Sequence, residues 1–349
     1  RAAVDDSEFR TNTAVSGYGG GLRAFSELTI SNTKVLSNTS TGKGGGGLMA
    51  AAGFVLGPVG VAMIDGVFSN NRAVCSNCAG GAAYISTTLQ VIGTRFLSNT
   101  AKDDGGAVAV YRPAAITNAS FENNTSLSSC GGGLYADVTA SLTSTNFLSN
   151  TAVNCGGGLA ANSAVTITGD LFQNNRITFF NGGGLYAPAY LNLKDTKFIS
   201  NSAVYWGGGV EAGGLLQIVN GYFERNSSGA GGGGLHAGTG SISQTQFINN
   251  HANAHGGGLF ASGTARVVNS LFARNSADDQ SADLYSTSVD LKILHDTFAD
   301  SGSNPGAAIF GGGGWLGVTD TIIANHAIAI SNTFGTVYED YNLFFNNPI

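Results

Sequence analysis

The sequence predicts an all-β chain, a single right-handed parallel β-helix with about 25 residues and three short strands per coil and roughly 13 coils. Three observations carry this expectation. An F-x-x-N segment recurs, with its aromatic at Phe9, Phe68, Phe96, Phe121, Phe147, Phe172, Phe198, Phe223, Phe247, Phe272 and Phe298. Val35 stands in once, and Ile322 or Ile323 does so near the C-terminus. From Phe96 onward the steps are 25, 26, 25, 26, 25, 24, 25 and 26 residues, a period that marks turns of a solenoid stacked on one another. A G-G-G-L segment follows most F-x-x-N segments after a short polar turn, as in Phe147 to Leu159. Around both motifs, apolar and variable residues alternate with the period of two that belongs to strands.

Composition agrees with a stacked chain. There are 53 Gly, 5 Pro and 11% charged residues among 349, less than half the usual charged share. The net charge of −6 offers no basic surface, so neither nucleic acid nor anionic lipid is an expected partner. No apolar run is long enough to span a membrane as a helix. Arg1-Ala2-Ala3-Val4-Asp5-Asp6 lacks the apolar segment of a signal peptide, so the chain reads as a mature product or an excised segment. One period runs throughout, so residues 1–349 are expected to form one domain, with an apolar insertion at 50–60 and looser coils at 276–349.

Within each coil, a first strand follows the glycines, as in Leu134-Tyr135-Ala136, Leu185-Tyr186-Ala187 and Leu259-Phe260-Ala261. Its first and third residues should point inward and its middle residue outward. A second strand precedes the Phe, as in Val165-Thr166-Ile167 and Leu216-Gln217-Ile218, and the Phe-to-Asn segment makes the third side. Coils about 4.8 Å apart would stack the Phe rings into an interior column. Asn71, Asn99, Asn124, Asn150, Asn175, Asn201, Asn226, Asn250 and Asn275, three residues after each Phe, should form an amide ladder. The glycines should supply positive φ and close approach between coils. The insertion, with Phe54, Val55 and Leu56 at its centre, is either an apolar flap on the solenoid or a contact site for a partner.

The four cysteines fall close together in the repeat frame. Cys130 and Cys155 each precede a G-G-G-L one repeat apart, which puts their Cα atoms within disulfide range. Cys75 and Cys78 share a lengthened turn. Pairing Cys75 with Cys78 and Cys130 with Cys155 implies an oxidising compartment. The rival is a metal site of four thiolates, which the separation of the two pairs by about two coil spacings disfavours.

Catalytic groups are sparse. Asp103-Asp104 and Asp278-Asp279 lie in turns about seven coils apart, cannot form one site, and read as solvated turn residues. Glu211 and His236 occupy the same outward position on neighbouring coils and can touch. His251 and His255 sit in a turn, where their spacing does not join the imidazoles. No catalytic residue, cofactor or metal is expected.

The alternation of F-x-x-N with G-G-G-[LV], with Gly80 to Ala83 and with Gly105 to Val108, resembles the repeat of the chlamydial polymorphic outer-membrane proteins over about residues 9–325. The chain differs in preferring G-G-G-L to G-G-A-I, and no β-barrel anchor is expected within residues 1–349. The resemblance implies a secreted or surface-displayed β-helix that acts in adhesion and self-association. The expected function is therefore a non-enzymatic extracellular solenoid, with other copies of itself, glycans or a host or neighbouring cell surface as partners. The alternative is a polysaccharide lyase or hydrolase, or a glycan-binding module, on the same fold.

Two expectations follow for contacts. The outward position after G-G-G-L is rich in aromatics, at Tyr84, Tyr135, Tyr186, Phe260, Tyr285 and Phe310, with Glu211 and His236 in the same row. On a solvent-facing strand such rings would serve glycans or lateral packing. Neither terminal stretch, before Phe9 or at Tyr341 to Ile349, reads as a covering helix. The chain is expected to be a segment of a longer solenoid or to join end to end into a filament.

Overall fold

A computed structural model describes residues 1–42, 44–51, 60–279, 281–287, 290–299, 306–333 and 335–347. Phe54, Val55 and Leu56 lie outside the described residues. All regular structure among them is β, and the strands make about 13 turns of a parallel solenoid with three sheets. The chain divides into two compact units. The first is Arg1–Thr178 with Gly184–Tyr186, and the second is Phe179–Gly183 with Ala187–Ile349.

In the first unit a representative coil has strands at Leu134–Ala136, Ala140–Thr143, Asn146–Leu148 and Thr151–Ala152. The first two segments belong to one sheet, the Phe strand to a second, and the two-residue strand after Asn150 to a third. This differs from the expected division of sides. The strands after the glycines and before the Phe share a face, and the third side is a Thr-Ala pair too short to show periodicity. In the second unit the two segments of that face merge into the single strands Val210–Val219 and Leu235–Ser243.

Register is kept residue for residue. Phe96, Phe121, Phe147 and Phe172 pair in sequence in the first unit, where Val35 occupies the Phe position between Phe9 and Phe68. In the second unit Phe198, Phe223, Phe247, Phe272 and Phe298 pair likewise, and Ile323 rather than Ile322 continues the row. Ring centroids lie 4.6–5.3 Å apart in the first unit and 4.6–5.0 Å in the second, at the spacing between strands of a sheet.

The Asn ladder is present in both units. Asn150 Nδ2 donates to Asn175 Oδ1 at 3.0 Å and to the carbonyl of Phe121 at 2.8 Å. Its own Oδ1 accepts from the main-chain N–H and the Nδ2 of Asn124, both at 2.9 Å. The same pattern joins Asn71, Asn99 and Asn124 in the first unit and Asn201, Asn226, Asn250 and Asn275 in the second. Every one of these carboxamides is fully buried.

A second ladder, unforeseen from the sequence, runs two residues before the Phe position and is interrupted at Gly66, Ala119 and Gly221. Its members include Thr94, Thr145 and Asp170 in the first unit, and Thr245, Ser270, Asp296 and Thr321 in the second. The main-chain N–H of Thr145 donates to Asp170 Oδ1 at 2.9 Å, and that of Thr245 to Ser270 Oγ at 3.2 Å. Burial pushes the Asp170 and Asp296 carboxyls up to about 7, their hydrogen bonds only partly offsetting the loss of water.

Three corners of the Phe147 coil have positive φ, and there glycine supplies only one. Gly131 has φ +68°, whereas Ser144 and Ser149 turn the other corners of that coil at 53° and 56°. Asn, which holds both of these corners in the preceding coil at Asn118 and Asn123, enters this region more readily than serine. The second glycine, Gly132, serves close approach instead: a Cβ there would lie 2.3 Å from the carbonyl oxygen of Gly157.

Two outcomes test these ladders. Asn150→Ala strands buried donors and acceptors on both neighbouring coils and should cost about 3–5 kcal/mol in urea unfolding. Asp170→Thr tests the other ladder through pH. A carboxyl whose pKa is raised in the fold contributes its stability below its unfolded pKa and loses it as pH rises through about 7. The Thr variant should therefore match the parent near pH 4 and exceed it by about 1–4 kcal/mol near pH 8 in paired thermal melts.

Candidate functional site

The outward row after the glycines is not the solvent face that the sequence suggested. In the first unit Met49, Ala109, Tyr135 and Ala160 are buried, and Tyr84 and Tyr186 are half-buried. The turn before the glycines folds back over this face. Ala79, Tyr135, Ala109 and Ala160 form a small outer core, with Tyr84, Tyr111, Cys130 and Cys155 packed against it. Tyr111 bridges Tyr84 and Tyr135, its ring 5.1 Å from the first and 5.7 Å from the second. Burial holds the phenols of Tyr111 and Tyr135 well above their ordinary pKa, and Asp104 nearby adds to the shift. The turns looked polar in sequence, but they carry enough apolar atoms to close on the strand.

The second unit repeats this with larger rings. His236, Phe260, Tyr285 and Phe310 form one column with centroids 5.1, 5.0 and 4.9 Å apart. Trp206 and His255, both from turns, cover it: Trp206 lies 4.9 Å from Phe260, and His255 stacks 4.5 Å from Tyr285. Gly231 makes room for this, since a Cβ there would meet the Trp206 ring at 2.7 Å.

Glu211 and His236 touch as the sequence allowed, with Oε2 2.6 Å from Nδ1. A carboxylate in that place orients an imidazole for proton transfer. Here, however, the pair is nearly buried, with Trp206 5.0 Å from the imidazole. His251 and His255 do not meet, and each instead lies beside an aspartate of the next coil. His251 Nε2 is 3.9 Å from Asp278, and His255 Nδ1 is 3.8 Å from Asp279. Asp278 and Asp279 are exposed, as read. Asp104 is not a solvated turn residue: its Oδ1 accepts from Ser129 Oγ at 2.6 Å and from the Cys130 N–H at 3.2 Å. Among the described residues no three His, Cys, Asp or Glu side chains are grouped to hold a metal ion. Both expected disulfides are present, with Cα separations of 5.1 Å for Cys75–Cys78 and 4.6 Å for Cys130–Cys155.

One accessible aromatic cluster lies on a turn edge of the second unit, apart from the exposed rings of Tyr338, Tyr341, Phe344 and Phe345. Phe179, Phe180 and Tyr205 are 51, 45 and 43% exposed, and Val204 is 40% exposed. The Phe179 and Phe180 rings meet edge to face at 4.7 Å, and Phe180 lies 6.0 Å from Tyr205. The signal was in the sequence: this turn position reads Thr-Phe-Phe-Asn before Gly182, where the repeat from Phe147 has Val-Asn-Cys, with no aromatic ring.

Residues 118–137 match the family model described as the Chlamydia polymorphic membrane protein (Chlamydia_PMP) repeat. No curated protein matches the chain in a sequence comparison. Among solved structures, a double mutant of the periplasmic alginate epimerase AlgG aligns over 93% of this chain and 76% of its own. Its identity is 8% and its TM-score 0.43, so the likeness carries no weight for activity or substrate. The chain is a parallel β-solenoid that carries a polymorphic-membrane-protein type of repeat.

Proposed function

We propose that the chain is a non-enzymatic structural and adhesive solenoid of a bacterial surface or secreted protein, working by contact rather than by chemistry. The repeat match supports the bacterial surface, and the two disulfides support a compartment outside the reducing cytoplasm. The observation that carries the contact reading is the exposed cluster of Phe179, Phe180, Val204 and Tyr205. Grouped apolar rings on a polar surface of low charge gain free energy when another surface covers them. The contact proposed is with other copies of the chain or with a neighbouring cell surface. The Glu211–His236 pair, the nearest approach to catalytic machinery, lies beneath aromatic cover and supports a packing role.

The triple variant Phe179→Ser, Phe180→Ser, Tyr205→Ser tests this, because these side chains are about half exposed and their removal spares the fold. Circular dichroism and the melting midpoint should stay close to the parent's. Concentration-dependent association in sedimentation velocity and retention of protein-coated beads on bacterial or epithelial cells should both fall to background. Association and retention equal to the parent's would remove the contact reading.

A further inference from the structure

The Cys75–Cys78 disulfide of the first unit closes a short loop inside a lengthened turn, joining residues 3 apart in sequence. We propose that it is a thiol–disulfide exchange site, at which the thiolate of a partner molecule bonds to Cys75 and sets Cys78 free. The inference goes beyond the adhesive reading, since it concerns a covalent step and rests on neither the contact patch nor association between copies.

Three observations separate this bond from the one between Cys130 and Cys155. First, hydrogen bonds already hold the turn that it spans. The Val74 N–H donates to the Ser40 carbonyl at 3.0 Å and the Asp103 N–H to the Cys78 carbonyl at 3.0 Å, which fixes both ends of the turn to the neighbouring coils. The Cys78 N–H also donates to the Cys75 carbonyl at 3.1 Å and closes the turn itself. Second, the other disulfide ties adjacent coils across 25 residues and packs against the outer core. A disulfide and a fold stabilise each other equally, and the gain rises with the length of the loop that is closed. The fold therefore protects Cys130–Cys155 from reduction more than it protects Cys75–Cys78. Third, the two sulfurs of the short bridge differ in surroundings. Cys78 is fully buried, while Cys75 is half-buried beside the exposed Ser76 and Asn77.

This difference in access orders the step. The incoming thiolate attacks Sγ of Cys75, the residue that solvent reaches, and buried Cys78 is the leaving group. A bond forms between the partner's sulfur and Cys75 as the Cys75–Cys78 bond breaks. The electron pair of the broken bond leaves on Cys78 Sγ, which then takes a proton from water. One disulfide is consumed and one is formed, so the step needs no separate oxidant or reductant. The turn keeps its hydrogen bonds, so the freed Cys78 stays beside Cys75. Attack by the Cys78 thiolate on Cys75 Sγ then expels the partner and restores the starting bond. Capture at this site is therefore covalent and reversible.

Glutathione and a peptide with a single cysteine, each added to the whole oxidised chain and quenched with N-ethylmaleimide, test the site by peptide mass spectrometry. The two arms tell a small thiol from a polypeptide one, and capture of either supports the proposal. The partner should be found on Cys75 and maleimide on Cys78, at a rate at least about tenfold above any opening of Cys130–Cys155. The melting midpoint of the opened chain should stay close to that of the untreated one. Cys78→Ser lacks the resolving sulfur and should hold glutathione on Cys75 after treatment with glutathione disulfide. Cys75→Ser should leave Cys78 unlabelled while the chain is folded. Opening of Cys130–Cys155 as readily as Cys75–Cys78, a partner found on Cys78, or a Cys75–Cys78 bond that resists both thiols until the fold melts would overturn the proposal.

Discussion

The structure depends on a buried carboxamide that bonds to the coil on either side of it. Each ladder Asn donates twice and accepts twice, so its polar capacity is used up with no water present. Asp offers no donor and Ser or Thr too few groups to do the same. The third glycine of G-G-G closes the arrangement. A Cβ on Gly158 would meet the Phe172 ring at 3.0 Å and the Asn175 carboxamide carbon at 3.2 Å. F-x-x-N and G-G-G are therefore two halves of one contact, and they recur in phase because a change in either disturbs the other.

The second unit shows what happens when both halves change. Asp283 stands at the third glycine position, and its Oδ1 accepts from Asn275 Nδ2 at 2.8 Å. His326 takes the ladder place three residues after Ile323, and its main-chain N–H donates to Asn347 Oδ1 at 2.9 Å. The imidazole Nε2 lies 3.4 Å from Asp283 Oδ2, with both side chains fully buried. Burial drives the Asp283 carboxyl up to about 7. A ladder of neutral amides has become a titratable one at this point, while the strands around it keep their register.

Because the interior is fixed by repetition, variation is left to the turns. One side of the glycine-bearing strand faces the interior, and the turns decide what its other side becomes. Small residues and a disulfide in the first unit, and Trp206 and His255 in the second, turn that side into an outer core. Ser76 and Asn77 in the first unit, and Phe179 and Phe180 in the second, are exposed at turn tips. Rigid coils with changeable tips suit recognition, since ordering the site adds little to the cost of binding.

Period, strand positions, the Phe column, the Asn ladder and both disulfides were legible in the sequence, because each depends only on equivalent residues lying one coil apart. Phe147 has to lie over Phe121 once the register is set, whatever the rest of the chain does. The second ladder was not legible, since Thr, Ser and Asp share no obvious motif and act alike only through an oxygen placed two residues before the Phe. The exposure of the outward row was not legible either. Alternation tells which side of a strand a residue takes, but not whether a turn comes back to cover that side. Tyr135 and Phe260 were read as solvent-facing and are buried, because Cys130, Cys155, Trp206 and His255 fold over them from turns that read as polar. The sequence by itself determined the spacing along the solenoid, and only the tertiary structure decided which surfaces water can reach.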